Sequence, residues 1–279
     1  VLIDTGVVIV HHKNFPAVLD TISDFLTAGV PEHRVIVVDN SESETLRASL
    51  ESALPTSVER INCRNAGYGA AANVGIQQHL EKADPPDYII VSSHETRFSP
   101  QILERLRQTL REDSGAGAVG PVLTLEGPGN QIWSTGGVYS RFARRPTHRL
   151  NMPVGLADCE WLDGAFVMYR AEALRNHRFD PAFFMYYEET DLHARMRSSE
   201  WRILVDPGSS VTQSTKGAPP YFVGRSGGLF AIRHTAPPRA ILAIIREGLR
   251  FAIKAHGDRS RVRNLASYLK GVRHAIRYR

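Results

Sequence analysis

The sequence predicts an α/β fold: a doubly wound, mostly parallel sheet with helices on both faces, followed by a helical extension at the C-terminus. Three observations predict it. Short β-branched runs recur along the first hundred or so residues, each is followed by apolar residues at helical spacing, and polar residues gather where the runs end. Strands that alternate with helices pair in parallel, because each crossover helix returns the chain to the same end of the sheet.

Gly6 to His11 is the first run and has strand length. Asn14 and Pro16 open a helical pattern, Val18, Ile22, Phe25 and Leu26, which closes near Gly29. Val35 to Val38 repeats the strand and ends in Asp39, Asn40 and Ser41, before a helix from about Glu44 to Leu54. Val58 to Asn62 starts a third unit, whose helix runs from about Gly69 to Lys82. Tyr88 to Ser92 is the fourth strand. Ser99 and Pro100 then cap a helix marked by Leu103, Leu106 and Leu110.

Beyond Gly115 the texture changes to shorter strands between Gly- and Pro-rich turns. Ala118 to Thr124, Ile132 to Tyr139 and Trp161 to Tyr169 are the strand candidates, and the polar stretch Arg141 to Pro153 reads as an exposed loop. Glu189 to Ser198 reads as a helix entered from the aromatic run Phe183 to Tyr187, and Arg202 to Val205 as a late strand. The division this suggests is a main domain over 1–232, with halves over 1–115 and 116–232, then a basic helical extension over 233–279. In the extension Ile241, Ile245, Leu249 and Ile253, and after Gly257-Asp258 Leu265, Leu269, Val272 and Ile276, mark two basic amphipathic helices.

Hydrophobic residues make up 42% and charged residues 23% of the 279, enough apolar surface for a core and too much for disorder. No apolar run approaches the roughly 20 residues that span a bilayer, and the first residues show no basic segment leading into an apolar stretch. The expectation is a cytoplasmic protein. Cys63 and Cys159 lie far apart and form no metal knuckle, which fits a reducing compartment. The formal net charge of +5 is concentrated at one end: from Arg233 onward there are twelve Lys or Arg against Glu247 and Asp258. The body is slightly acidic, which argues against nucleic acid as a partner, while the tail suits peripheral contact with anionic lipid at the inner face of a membrane.

In open parallel sheets ligands bind beyond the carboxyl ends of the strands. Those positions hold His11 and His12, then Asp39 and Asn40, then Asn65 to Gly75, then Ser93-His94-Glu95-Thr96. The segments VVIVHHKN, VIVVDNSES, NAGYGAAANVGI, YIIVSSHETRFSP, WLDGAFVMYRAEAL and FDPAFFMYYEETDLHARMRSSEWRI follow in that order. Over about residues 5 to 230 the chain thereby resembles the family-two glycosyltransferases of the GT-A fold, particularly bacterial rhamnosyltransferase-like members. The resemblance implies inverting transfer of a sugar from a UDP- or dTDP-linked donor to an acceptor hydroxyl on a polysaccharide, a lipid carrier or a natural product.

The resemblance also implies roles. Asp39 would accept the imide N–H of a uracil or thymine base. His11 and His12 stand where the family often has Thr and Tyr near base and ribose, which assigns them to the donor pocket. Asn65, Gly67 and Asn73 belong to the small-residue segment that lets the backbone approach the donor. Glu95, preceded by His94, ends its strand where the family carries a metal-binding acid. A divalent cation there, Mn²⁺ or Mg²⁺, would neutralise the donor diphosphate. Only one carboxylate is present, however, and Gln213 falls near the place of a metal-binding His in many relatives; Arg97 or Lys216 is the alternative source of positive charge. Glu189 would be the base that takes the acceptor's proton, with Asp191 the second candidate. Trp161 and Glu188 would contact the acceptor, and Asp163 a hydroxyl of the donor sugar.

Three rival readings are testable against the fold. Gly67-Tyr68-Gly69-Ala70-Ala71-Ala72 matches a dinucleotide fingerprint, but in the third βα unit rather than the first, which counts against an NAD-dependent oxidoreductase. Gly224-Arg225-Ser226-Gly227-Gly228, followed by Asp258 and His274, has hydrolase order but lacks a buried strand before it, so Tyr221 to Arg225 reads better as a loop over the donor. A non-catalytic protein that binds a nucleotide sugar would explain the missing metal ligand but not the retained acids Glu188, Glu189 and Asp191.

Overall fold

The computed structural model describes residues 1–278 apart from 128, 130, 142–143, 216 and 255–257, and leaves the side chains at 254, 258 and 259 undescribed. In chain order the elements are β1 (Thr5–His11), α1 (Phe15–Thr27), β2 (Val35–Asp39), α2 (Glu44–Ala53), β3 (Glu59–Asn62), α3 (Tyr68–Leu80), β4 (Tyr88–Ser93), β5 (Arg97–Phe98), α4 (Gln101–Glu112) and β6 (Ala116–Leu125). They continue with β7 (Ile132–Ser134), β8 (Gly137–Tyr139), β9 (Pro146–His148), β10 (Ala157–Asp158), β11 (Phe166–Arg170), α5 (Ala171–Asn176), α6 (Glu188–Ser198) and β12 (Arg202–Gln213). The C-terminal part is helical: α7 (Pro220–Phe222), a π-helical stretch (Val223–Gly227), α8 (Gly228–His234), α9 (Pro237–Lys254) and α10 (Asp258–Arg277).

The main sheet has the order β10-β12-β6-β11-β4-β1-β2-β3. β1 pairs in parallel with β2 and β4, β2 with β3, and β6 with β12, while β11 runs antiparallel between β4 and β6. Successive side chains of a strand point to opposite faces, and here both faces are covered. Val7, Ile9, Val35 and Val37 pack with Phe25 of α1, Leu50 of α2 and Leu106 of α4. Val8, Val10, Ile36 and Val38 pack with Ala72 and Ile76 of α3 and Leu192 and Met196 of α6. Continuous β-branched runs form these strands because every residue, on either side, enters a core; each such side chain contributes about 1.5–3 kcal/mol on burial.

The second half departs from its sequence reading in ways that matter for the site. The run Ile132 to Tyr139 is two strands, split at Gly136, whose φ of +84° turns the chain out of the main sheet. β8 then pairs with β9, so part of the expected exposed loop is a hairpin strand. Of Trp161 to Tyr169 only β11 is a strand; Trp161 makes a lone bridge to Gly137, and Asp163 Oδ1 accepts from the Ala165 amide at 3.1 Å in a turn. β12 runs on to Gln213 through a bulge between Asp206 and Ser210, where Asp206 accepts from Gly208 N (3.0 Å) and Ser209 Oγ (2.6 Å).

Tyr221 to Arg225, expected as a loop, is helical and packs on α10. A Cβ on Gly224 would lie 2.1 Å from the Tyr268 carbonyl oxygen, and one on Gly271 2.1 Å from that of Tyr221. The glycines of the G-x-S-x-G string therefore serve a close helix crossing, not a nucleophile elbow. Among the described residues no helix is long and apolar enough to cross a membrane.

Candidate functional site

The ends of β1 and β2 lie side by side, with His11 opposite Asp39. His11 Nδ1 donates to Asp39 Oδ1 at 2.9 Å, and the same oxygen accepts from Ser41 N (3.0 Å) and Ser41 Oγ (2.5 Å). Burial pushes the Asp39 carboxyl up, but the hydrogen bonds from His11 and Ser41 outweigh it and hold the group below the usual carboxylate range. All three bonds fall on Oδ1, so Oδ2 is the oxygen suited to an incoming N–H. His11 itself is fully buried and orients Asp39. His12 Nδ1 lies 3.1 Å from Asn40 Oδ1, so it braces the same strand end. His94, at the end of β4, donates Nδ1–H to the Val10 carbonyl at 3.1 Å and meets the His11 ring edge-on at 5.4 Å. Burial lowers its pKa to about 4, so it is neutral, with a lone pair on Nε2.

The small-residue segment at the start of α3 is clamped by the chain leading into α6. Gly67 has φ +103°, and a Cβ there would stand 1.9 Å from the Phe184 carbonyl oxygen, which instead accepts from Tyr68 N at 3.1 Å. Asn65 Oδ1 accepts from Gly67 N at 3.2 Å and fixes the turn. Asn73 bonds both polar groups of Phe179, donating to its O at 2.7 Å and accepting from its N at 3.0 Å. Gly67 thus serves an intramolecular contact, which removes the basis for a dinucleotide fingerprint, and the Asn73 amide is engaged by the Phe179 backbone.

A cavity of about 680 Å³ is lined by Tyr68, Trp133, His148, Trp161, Asp163, Glu188, Glu189 and Gln213, together with Arg145, Glu247 and Arg250, while His11, His12, Asp39, His94 and Glu95 do not line it. Three polar atoms of its lining residues are buried without a protein partner: Trp161 Nε1, Glu188 Oε2 and Gln213 Nε2. Buried polar groups are nearly always satisfied, so three orphans around one cavity mark a place for a polar ligand. Asp163 accepts from Trp133 Nε1 at 2.8 Å, and the His148 ring packs between Trp133 and Trp161 at 5.0 and 4.9 Å. His193, buried in α6, accepts from Leu162 N at 3.1 Å through Nδ1 and reaches Tyr169 Oη with Nε2, fixing the Trp161–Gly164 segment against α6.

Burial, with Asp163 adding to it, raises Glu188 to about 8. Glu189 is pushed well above the carboxylate range by burial, then by Glu188 and Asp163. Asp191, one helical turn on, does not line the cavity: Arg195 holds its Oδ2 at 2.9 Å and His234 Nε2 its Oδ1 at 2.7 Å. Burial pushes its carboxyl up, but His234 and Arg195 hold it down.

Trp133, His148, Tyr68 and Arg250 are cavity residues that sequence reasoning did not single out. Their signal was weak, because they reach the site from the short strands β7 and β9, from the start of α3 and from α9 rather than from the carboxyl end of a parallel strand.

Glu95 and His94 are the two metal-ligand candidates at the end of β4. Glu95 is raised by burial and by Glu126, and among the described residues no three His, Cys, Asp or Glu side chains group as metal ligands. Among the described residues this strand end thus offers one carboxylate and one imidazole, too few donors for a metal centre held by the protein alone. Arg97 is engaged by Asp24 at 2.8 Å and Asp20 at 3.2 Å on the surface, and Lys216 lies outside the described residues.

The chain matches glycosyl transferase family 2 over residues 6–178, more than half of its length. It is 26% identical over 215 residues to the N-acetylglucosaminyl-diphospho-decaprenol L-rhamnosyltransferases of Mycobacterium tuberculosis strains CDC 1551 / Oshkosh and ATCC 25618 / H37Rv, covering 63% of this chain and 65% of each relative. It thus spans a little less than two thirds of the length of those curated relatives. Among solved structures, that of GalNAc-T7 with UDP, GalNAc and Mn²⁺ superposes with a TM-score of 0.66 at 13% identity, over 99% of this chain and 58% of that one. At that identity the likeness is one of fold, and it agrees with the GT-A-type sheet. The family match runs through β1 to α5, the same stretch that carries the strand-end residues, and the chain belongs to glycosyl transferase family 2.

Proposed function

We propose that this chain is an inverting glycosyltransferase that moves a sugar from a UDP- or dTDP-linked donor to an acceptor hydroxyl on a lipid-linked glycan, working at the inner face of a membrane. The observation that carries the reading is the cavity itself, with three orphaned polar atoms, an aromatic wall and two buried carboxyls, Glu188 and Glu189. Asp39 Oδ2 accepts the imide N–H of the base, and His11 and Ser41 hold the carboxylate ionised for it. Trp161, Glu188 and Gln213 offer their unpaired groups to sugar hydroxyls. Glu189 removes the proton of the acceptor hydroxyl as its oxygen attacks the anomeric carbon. The bond from that carbon to the diphosphate oxygen breaks on the opposite side, and the electron pair leaves with the nucleoside diphosphate. A raised proton affinity makes Glu189 a stronger base once ionised. Asp191, clamped by Arg195 and His234, positions α6.

The lipid-linked acceptor is supported by the names of the Mycobacterium tuberculosis relatives, which specify rhamnosyl transfer and N-acetylglucosaminyl-diphospho-decaprenol. Thermal shift of the protein with UDP, dTDP and GDP, each with Mn²⁺, Mg²⁺ or EDTA, tests the donor half. A ligand at about 100 times its dissociation constant stabilises by about 2.7 kcal/mol. Stabilisation by one pyrimidine diphosphate that persists in EDTA is expected; no stabilisation by any of the three would overturn the donor pocket. Product stereochemistry, read by NMR at the anomeric carbon, tests inversion.

A further inference from the structure

The helix α9 has two unlike faces. On the outer side Ile241, Leu242, Ile245, Leu249 and Ile253 are 51–71% exposed, and their spacing of three and four residues puts them along one flank. The other exposed positions of this helix after Pro238 are Arg239, Arg246 and Arg250, so the outer face carries aliphatic side chains and arginines and no acid. Its one acid with a described side chain, Glu247, is 7% exposed and turned inward, where Arg145 Nη1 lies 3.2 Å and Arg250 Nε 3.0 Å from its carboxylate. Glu247 and Arg250 also line the cavity that holds Glu188 and Glu189. On α10 Val262, Leu269 and Ile276, 54–69% exposed at intervals of seven, add a second aliphatic line.

Aliphatic side chains held in water from Ile241 to Ile253, about three and a half turns of helix, need a cover, and charge selects it. A second copy docked face to face would gather the arginines of both copies into one interface in which this face offers no acid to pair them. An anionic bilayer attracts the same arginines while its interface takes up the aliphatic stripe. We propose that the outer face of α9 docks on anionic lipid and thereby holds the acceptor cavity, one wall of which is the inner side of the same helix, against the bilayer surface. The docking stands independently of the transferase reading; only the delivery of acceptor to the cavity rests on it.

The test is co-sedimentation of the chain with vesicles of phosphatidylglycerol and phosphatidylcholine in equal parts, and with phosphatidylcholine alone, comparing wild type with the double variant Ile245→Asp/Leu249→Asp. Neither residue lines the cavity, and an unchanged melting temperature with unchanged stabilisation by the nucleotide confirms that fold and donor site are intact. The expected result is binding to the anionic vesicles that falls about tenfold or more in the variant and weakens in roughly 1 M salt, where the Debye length shrinks to about 3 Å. Equal sedimentation of wild type and variant would overturn the proposal. So would a wild-type dimer in analytical ultracentrifugation that the variant abolishes without any vesicle binding, which would give the face to a second copy.

Discussion

Replacing Glu188 with Gln reports on the proton held by the buried carboxyl pair. Burial, with Asp163 adding to it, moves this carboxyl from 4.5 to about 8, while in the unfolded chain it ionises near the ordinary value. Between those two pH values the folded protein keeps a proton that the unfolded chain has released. Stability from this group is therefore fully present below about 4.5 and is lost progressively as pH rises to about 8. At about 1.4 kcal/mol per pH unit the window spans at most roughly 5 kcal/mol. Glu189 shares the effect, so removing one carboxyl should recover about 2 kcal/mol. Urea unfolding of wild type and Glu188→Gln at about pH 5 and about pH 8.5 measures it, with the variant gaining on wild type by about that amount between the two conditions. A difference between variant and wild type that is the same at both pH values would mean that Glu188 is ionised in the folded protein, and the argument that burial keeps it protonated would fail.

The remaining predictions address the donor pocket, the base and the backbone. Glu189→Gln should lower kcat by about 10²–10⁴-fold while leaving stabilisation by the pyrimidine diphosphate unchanged; loss of nucleotide binding instead would move Glu189 out of the acceptor side. Because the base acts only when ionised and its pKa is raised, wild-type kcat should climb with pH above the ordinary carboxylate range, and Glu188→Gln should shift that limb to lower pH by removing a neighbouring negative charge. Asp39→Asn should weaken pyrimidine diphosphate binding about 10–100-fold by titration calorimetry, the loss of one charge-assisted hydrogen bond, and an unchanged affinity would refute the base contact. Gly67→Ala forces a Cβ into the Phe184 carbonyl at a left-handed backbone position, and chemical unfolding should show a cost of about 3 kcal/mol.

Where a strand lies buried on both faces, its sequence announces it, and β1, β2 and β4 stand within a residue or so of their expected bounds. The second half was harder to read because its strands are short or interrupted. β12 carries Pro207 and Gly208 in mid-strand, residues that elsewhere end strands, and only the bulge stabilised by Asp206 lets the ladder continue to Gln213. The strand-end rule found Asp39, but it could not say that His11 turns inward to orient it. Among the acids of α6 the useful signal was present and unused. Asp191 and Arg195 are spaced i, i+4, the spacing of an ion pair along a helix, whereas Glu188 has no basic residue three or four positions on and Glu189 has only His193, which is taken up by Leu162 N and Tyr169 Oη. His148 and Trp133 left no such trace, because pairing of distant segments brings them to Asp163.

The carboxyl pair sits at the least comfortable piece of backbone in the site. Tyr186 and Tyr187 both have left-handed φ, +64° and +68°, immediately before Glu188. For bulky residues each such position costs of order 1–3 kcal/mol and persists only where neighbours over-determine it. Here they do: Phe184 O accepts from Tyr68 N, Met185 O from Ser226 Oγ at 2.8 Å, and Asp191 is tied to His234. The first contact comes from α3, the last two from the π-helical stretch and α8. Glu189 is therefore placed by three elements at once, and two of them belong to the C-terminal helices that continue into α9. A C-terminal segment that looks like an appendage in the sequence thus braces the turn that presents Glu189, and the same run of chain carries the face suited to lipid. The turn that presents Glu189 is thus tied, through Ser226 and His234, to the chain that continues into the exposed aliphatic face of α9.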